Sequence, residues 1–210
     1  MKKSIGIFVV LCLCLSCINT PLQQSVPAYY AGTYVFSQFE SMTLGVWLRA
    51  DSSFIMVKKA DNDSLFSGTA GKWNRKGDII QLNSGNEGRL VAKYADGQLE
   101  VMNNEGEPIS RESKFMLAKV SGILPDDLRF SAKAKLISVG ENGLAFQFCN
   151  LDLPWKVSDE HAEIVHSMHK STVSGDYFEW LIVIEPDNGS GNKVRIISIS
   201  SQTAWDDCDQ

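Results

Sequence analysis

The three histidines of the chain, His161, His166 and His169, stand close together in a segment whose pattern predicts a helix. His166 and His169 are three residues apart and would share one helix face, a spacing that can place two ligands on one metal ion. No third ligand is identifiable beside them, so a solvated helix face is the simpler interpretation. The sequence therefore predicts no metal site and no cofactor.

Soft-metal and catalytic chemistry have equally little support in the sequence. Met42, Met56 and Met102 would suit copper(I), but isolated methionines in strands are more typical of core packing. No serine stands in the Gly-x-Ser-x-Gly turn of a nucleophile elbow, and no glycine-rich loop is present to hold a phosphate. The acidic pairs Asp126-Asp127 and Asp206-Asp207 are interpreted as surface charge. We predict that the protein is not an enzyme and has no catalytic residues.

The start of the chain has the pattern of a secretory signal. Two lysines precede 11 apolar residues, Ile5 to Leu15, and Ser16-Cys17 follows at once. A helix needs about 20 residues to span the bilayer core, so this run is too short for a transmembrane anchor. We expect cleavage after a signal peptide of residues 1–16 and a palmitate-type lipid on Cys17 that tethers the protein to a membrane. The alternative is an ordinary secreted protein cut near Pro27-Ala28.

The remaining cysteines predict a disulfide. Cys12 and Cys14 leave with the signal, so the mature chain keeps Cys17, Cys149 and Cys208. With Cys17 acylated, Cys149 and Cys208 are expected to pair in an oxidising compartment, and two separate free thiols are the alternative. The predicted location is the bacterial cell envelope, lipid-anchored at the outer membrane on its periplasmic or surface face.

Charge is divided unevenly along the chain. Residues 18–120 carry 11 basic and 11 acidic side chains, whereas residues 121–210 carry 7 basic and 14 acidic ones. An acidic second half repels phosphate backbones, so nucleic acid is not an expected partner. The same surface suits a basic protein partner, although solubility explains it equally well.

The elements that must position these residues are predicted to be short strands. After a flexible tether at residues 17–28, β-type runs alternate with turn signals about every ten residues. Asp96-Gly97 is the clearest hairpin turn, because glycine accepts a positive φ at little cost. Consecutive hairpins over residues 29–120 predict a small lipocalin-like meander barrel.

A second domain is predicted over residues 125–210, after a break near Ser121–Asp127. It is β-rich with one helix that begins after Ser158, where Asp159 and Glu160 favour the helix dipole. The run from Tyr177 to Glu185 is the most apolar strand of the mature chain. The fold class is therefore mainly β.

The first domain carries an ordered set of short sequence markers. They are Gly32-Thr33-Tyr34, Trp47-Leu48-Arg49-Ala50-Asp51-Ser52-Ser53-Phe54, Gly71-Lys72-Trp73, Gly77-Asp78-Ile79-Ile80-Gln81-Leu82, Tyr94, Asp96-Gly97-Gln98-Leu99 and Gly106-Glu107-Pro108-Ile109. In order and spacing this set, which covers roughly residues 30–110, resembles the N-terminal domain of the NlpE-like copper-homeostasis and envelope-stress lipoproteins.

This resemblance implies a lipocalin-like barrel on an outer-membrane lipoprotein, in a family associated with surface sensing and copper stress. Fuller members carry a second small barrel that resembles an OB fold, and Phe146–Cys149 with Tyr177–Ile184 is compatible with one. The family usually has Cys-x-x-Cys soon after Gly-Thr-Tyr, where this chain has Val35–Met42 without a cysteine. Copper binding is therefore not carried over, since thiolates suit a soft metal.

Three functions remain open from the sequence. The leading one is a non-enzymatic envelope lipoprotein that senses or signals stress through contacts with an envelope protein. The second is a tethered carrier of a small apolar ligand, which requires an open barrel. The third is an accessory or inhibitory module for another envelope protein. We expect the aromatic residues of the first domain to pack mostly in its core: Trp47, Phe54, Trp73 and Tyr94.

Overall fold

The computed structural model describes eight stretches of the chain, and the regular elements within them are β-strands. The described residues are 28–37, 40–85, 88–110, 114–122, 124–139, 143–158, 176–185 and 193–199. Within these stretches, a helix long and apolar enough to cross a bilayer is absent. The predicted signal peptide, the helix after Ser158 and the C-terminal tail lie outside them.

The first eight strands close into an antiparallel barrel. They are β1 (Ala28–Ser37), β2 (Glu40–Leu48), β3 (Ser53–Ala60), β4 (Phe66–Lys76), β5 (Ile79–Asn83), β6 (Arg89–Ala95), β7 (Gln98–Met102) and β8 (Met116–Ser121). Each strand pairs with the next along the chain, and β8 returns to pair with β1. This confirms the meander barrel predicted from the sequence, and closure removes the exposed edges that a sheet would otherwise present.

The hairpin turns explain why this barrel can be predicted from the sequence. Asp96 and Gly97 connect β6 to β7 with φ values of 52° and 80°. Positive φ at both central residues is the type I′ geometry, whose twist matches that of the two flanking strands. The turn at Asp96-Gly97 is thereby confirmed.

The last five strands form a second, smaller closed barrel. They are β9 (Arg129–Val139), β10 (Gly143–Phe148), β11 (Trp155–Val157), β12 (Phe178–Glu185) and β13 (Lys193–Ile199). The order around the barrel is β9, β10, β11, β13, β12 and back to β9, with β11 and β13 parallel. This five-stranded Greek-key order is the OB-like arrangement expected for the second domain.

Each barrel has its own apolar core, and alternation along the strands assigns residues to them. Leu44, Val46 and Leu48 of β2 belong to the core of the first barrel, while Trp47 between them packs toward the second. The period of two follows from the pleat, since successive side chains of a strand point to opposite faces. The outer face of β2 is therefore covered at Trp47, where it meets the second barrel.

Candidate functional site

The interior of the first barrel is where a lipocalin-like protein would hold a ligand. Large side chains fill it instead, each at most 2% exposed: Tyr30, Leu48, Phe54, Ile80, Leu82 and Leu99. Trp73 also lies in this core and donates its indole N–H to the backbone oxygen of Arg49 at 3.0 Å. These buried side chains occupy the interior, which argues against an apolar carrier that uses it.

The two barrels are joined by a strand pairing. The first residues of β4 run parallel to the first residues of β9, with Phe66 opposite Phe130 and Gly68 opposite Ala132. A Cβ at position 68 would lie 2.1 Å from the ring of Phe130, which is fully buried. Glycine is therefore required at this position for the two strands to approach each other.

Side chains from the outer face of the first barrel complete the core of the second. Tyr29, Ile55, Val57 and Ala70 are buried in the same cluster as the aromatic residues of the second barrel. Burial contributes about 25 cal/mol for each Å² of apolar surface removed from water. Because this cluster spans both barrels, we expect neither to separate from the other without exposing apolar surface.

An arginine lies between two tryptophans at this junction. The guanidinium carbon of Arg49 is 5.1 Å from the ring centre of Trp47 and 4.7 Å from that of Trp155. The two indole rings meet edge to face at 6.4 Å, and Trp47 donates its N–H to the backbone oxygen of Gly122 at 3.2 Å. Arg49 thus connects a strand end of the first barrel to the buried Trp155 of the second.

Polar partners fix the position of the Arg49 side chain. Its Nη1 is 2.8 Å from Oγ of Ser53 and 3.0 Å from Oδ2 of Asp51. Burial lowers the pKa of the guanidinium, and the Asp51 carboxylate opposes that shift. Burial alone would raise the pKa of Asp51, but hydrogen bonds from Ser53 and the positive charges of Arg49 and Lys72 outweigh it and leave that pKa below its usual value.

A groove opens beside the junction, on one continuous face of β3, β4, β9 and β12. Its volume is about 410 Å³. Met56 and Lys58 stand opposite Thr69 and Ser67 on the neighbouring strand, and Ser67 stands opposite Ser131 of the second barrel. The residues that line the groove are Met56, Lys58, Ser67, Gly68, Thr69, Ser131, Lys133 and Glu179.

The end of β1 presents large apolar side chains to solvent. Val35 is 62% exposed and Phe36 is 54% exposed. The Phe36 ring packs edge to face on Tyr34 at 4.7 Å, and Tyr34 in turn lies 5.1 Å from Phe115. Exposed apolar residues that form a contiguous patch mark contact sites, whereas single exposed apolar residues are normal.

The structure places the residues predicted from sequence in different regions. Phe54 and Trp73 lie in the first core, whereas Trp47 lies at the junction. Cys149 is buried at the end of β10, and its pairing with Cys208 stays a prediction because Cys208 is outside the described residues. Within the described ranges, no group of three or more His, Cys, Asp or Glu side chains is placed to hold a metal ion. The residues that also lie outside those ranges are Cys17, His161, His166, His169, Asp206 and Asp207.

Sequence reasoning did not single out the groove or the role of Arg49. Arg49 belongs to one of the sequence markers of the first barrel. Its residue type does not indicate that its side chain packs on Trp155 of the second barrel. Lys58 and Lys133 are 75 positions apart, and only the β4–β9 pairing brings their strands into one sheet. A long-range parallel pairing of three residues leaves no local signal in sequence.

Four chains of solved structures resemble this chain, and two of them are a pathway activator and a putative lipoprotein. The Cpx pathway activator NlpE from Escherichia coli matches over 83% of this chain and 93% of its own, at 15% identity and a TM-score of 0.37. A "putative lipoprotein" from Shewanella oneidensis matches over 45% of this chain and 89% of its own, at 25% identity and a TM-score of 0.38. No protein-family model matches, and neither does a curated protein. NlpE is a member of the family that the sequence markers of the first domain resemble.

Proposed function

We propose that this chain is a lipid-anchored protein of the bacterial envelope that signals envelope stress through contact with another envelope protein. The observation that carries the proposal is the exposed pair Val35 and Phe36 at the end of β1. The packed interior of the first barrel supports it as well, because a filled barrel is suited to present a surface rather than to carry a ligand.

The anchor belongs to the same proposal. The first described residue, Ala28, opens β1 directly, so 11 residues from Cys17 to Pro27 would connect a lipid on Cys17 to the barrel. Fully extended, this tether reaches about 36–40 Å. That reach lets the barrel meet a partner in the same membrane or one near its surface. A disulfide between Cys149 and Cys208 would then fix the C-terminal tail to the second barrel.

The test is a double substitution of the exposed pair, Val35→Asp with Phe36→Ser, in the full chain expressed in its own host. We expect the response of an envelope-stress reporter to overproduction of the protein to be lost, because charge at the contact opposes burial of that surface. Ile109→Ser is the matched control, since Ile109 is 45% exposed in another part of the same barrel.

Two measurements on the same strains make the result decisive. Immunoblots of membrane fractions must show equal amounts of each variant, and Cys17→Ala should shift the protein out of those fractions if the lipid is the anchor. A reporter response that survives the double substitution at equal protein levels would contradict the proposed contact. A response that never depends on the protein would contradict the signalling function itself.

A further inference from the structure

The described residues that line the groove beside the junction have a net positive charge, opposite in sign to that of the whole protein. Two lysines, Lys58 and Lys133, and one acid, Glu179, line it, whereas the chain has a net charge of −5. Lys133 stands directly opposite Glu179 in the β9–β12 register. Lys58 makes no ion pair with any other described residue, so within the described ranges its positive charge has no countercharge.

The uncharged groups of the groove suit a ligand that is partly polar and partly apolar. The hydroxyl group of Ser131 can donate one hydrogen bond, whereas Oγ of Ser67 already donates to the backbone oxygen of Lys58 at 3.4 Å. Met56 is partly buried against the core of the first barrel, and its thioether offers a polarizable apolar surface. A volume of about 410 Å³ is within the range of small-molecule sites, which is about 300–1,000 Å³.

We propose that this groove binds a small molecule that carries one carboxylate or phosphate group beside a short apolar part. The two ammonium groups attract the anion and the Ser131 hydroxyl donates to it, while the apolar part covers Met56. Glu179 disfavours a second negative charge at its end of the groove. The site does not involve the exposed end of β1. Its test is therefore independent of the test of the contact proposed for Val35 and Phe36.

Such a ligand would also hold the two barrels together. Met56, Lys58, Ser67, Gly68 and Thr69 come from the first barrel, while Ser131, Lys133 and Glu179 come from the second. A ligand that binds only the assembled groove stabilises the folded protein by mass action, in proportion to the logarithm of its concentration over its Kd. Binding and a rise in the unfolding midpoint are therefore two readouts of one event.

The test uses short probes that differ only in their head group. Calorimetric titration of the full chain with Cys17→Ser, which needs no detergent, would compare hexanoate and hexyl phosphate with hexanol and hexylamine. We expect both anions to bind at least about tenfold more tightly than hexanol and to raise the unfolding midpoint, and hexylamine to show no binding. Lys58→Gln and Lys133→Gln should each weaken anion binding by roughly three- to tenfold.

The control is Lys119→Gln, because Lys119 is an exposed lysine on β8, away from the groove. Vesicles of phosphatidylglycerol distinguish the source of the anionic group. Displacement of hexyl phosphate by vesicles, dependent on Lys58 and Lys133, would identify a lipid headgroup, and no displacement would identify a free small molecule.

Two results would overturn the proposed site. One is that hexanoate and hexyl phosphate bind no more tightly than hexanol. The other is that they bind the double variant Lys58→Gln, Lys133→Gln as tightly as the parent chain, with the variant's unfolding midpoint unchanged in the absence of ligand.

Discussion

The two barrels of this protein reach closure by different routes. The first joins eight strands by hairpins between neighbours in sequence, whereas the second exchanges the order of β12 and β13 and includes the parallel pair β11–β13. The first core is built from its own strands, but the second core also takes in Tyr29, Ile55 and Val57 from outside. The comparison shows that the second barrel depends on the first for part of its core, and that the polar and charged chemistry of the groove lies where they meet.

The largest expected effect comes from the centre of the second core. Trp180 is fully buried, donates its N–H to the oxygen of Ala134 at 2.8 Å and contacts the rings of Phe146 and Phe178. Trp180→Ala should lower the free energy of unfolding by about 3–5 kcal/mol, because it leaves a large cavity and removes the hydrogen bond to Ala134. Urea unfolding followed by circular dichroism measures the change.

A matched substitution in the first barrel sharpens that result. Trp73→Ala removes a buried indole of the other core, together with its hydrogen bond to Arg49. If the barrels unfold as one unit, both variants should shift one common transition. If the first barrel of the Trp180→Ala protein unfolds at the same urea concentration as in the parent chain, the first barrel is stable alone and the junction contributes little.

The second largest expected effect comes from a substitution in the β4–β9 pairing, which joins the two barrels. Gly68→Ala places a methyl group within 2.1 Å of the Phe130 ring, so we expect a loss of about 1–3 kcal/mol through overpacking. Glycine to alanine in a strand otherwise tends to stabilise, by restricting the unfolded chain. Whether Gly68→Ala lowers or raises the stability therefore tests the close approach of Gly68 to Phe130. Thermal unfolding measures the change. Ser67→Ala, next to it on β4 but exposed, should change stability by less than about 0.5 kcal/mol.

The smallest effect concerns the Arg49–Asp51 pair. The pKa of Asp51 is lowered in the folded state, so its contribution to stability is present above the unfolded pKa of about 4 and is lost as the pH falls toward the folded pKa. The Asp51 side chain is 37% exposed, and solvent screening keeps the contribution below about 1 kcal/mol. The difference in unfolding free energy between the parent chain and Asp51→Asn should therefore shrink below pH 4. A difference that is constant from pH 6 to pH 3 would contradict this account.

The first barrel was predictable from sequence because its contacts are local. Each strand pairs with its neighbour in sequence, and turns such as Asp96-Gly97 can be recognised by their residue types. Strand β12 was equally visible as an apolar run at Tyr177–Glu185, and the structure has it at Phe178–Glu185. Local pattern and local pairing agree in these cases, so little information from elsewhere in the chain was needed.

The junction was not predictable for the opposite reason. Gly68 and Phe130 are 62 positions apart, and nothing near either residue indicates the other. Most of the first-domain aromatic residues were expected to pack in its core, and Trp47 is the one that instead lies on the outer face of β2 against Trp155. A period of two assigns a residue to a face of a strand, but does not tell whether water or another barrel covers that face.

The measurement that tests the central claim most directly is hydrogen exchange with mass spectrometry across a urea titration of the intact chain. Peptides from β1–β8 and from β9–β13 then report on the two barrels in one sample. Because they share a buried cluster, the Arg49 contacts and the β4–β9 pairing, we predict that both sets lose protection at the same urea concentration. If the second barrel loses protection at clearly lower urea while the first stays folded, the barrels are independent and the account of the junction is wrong.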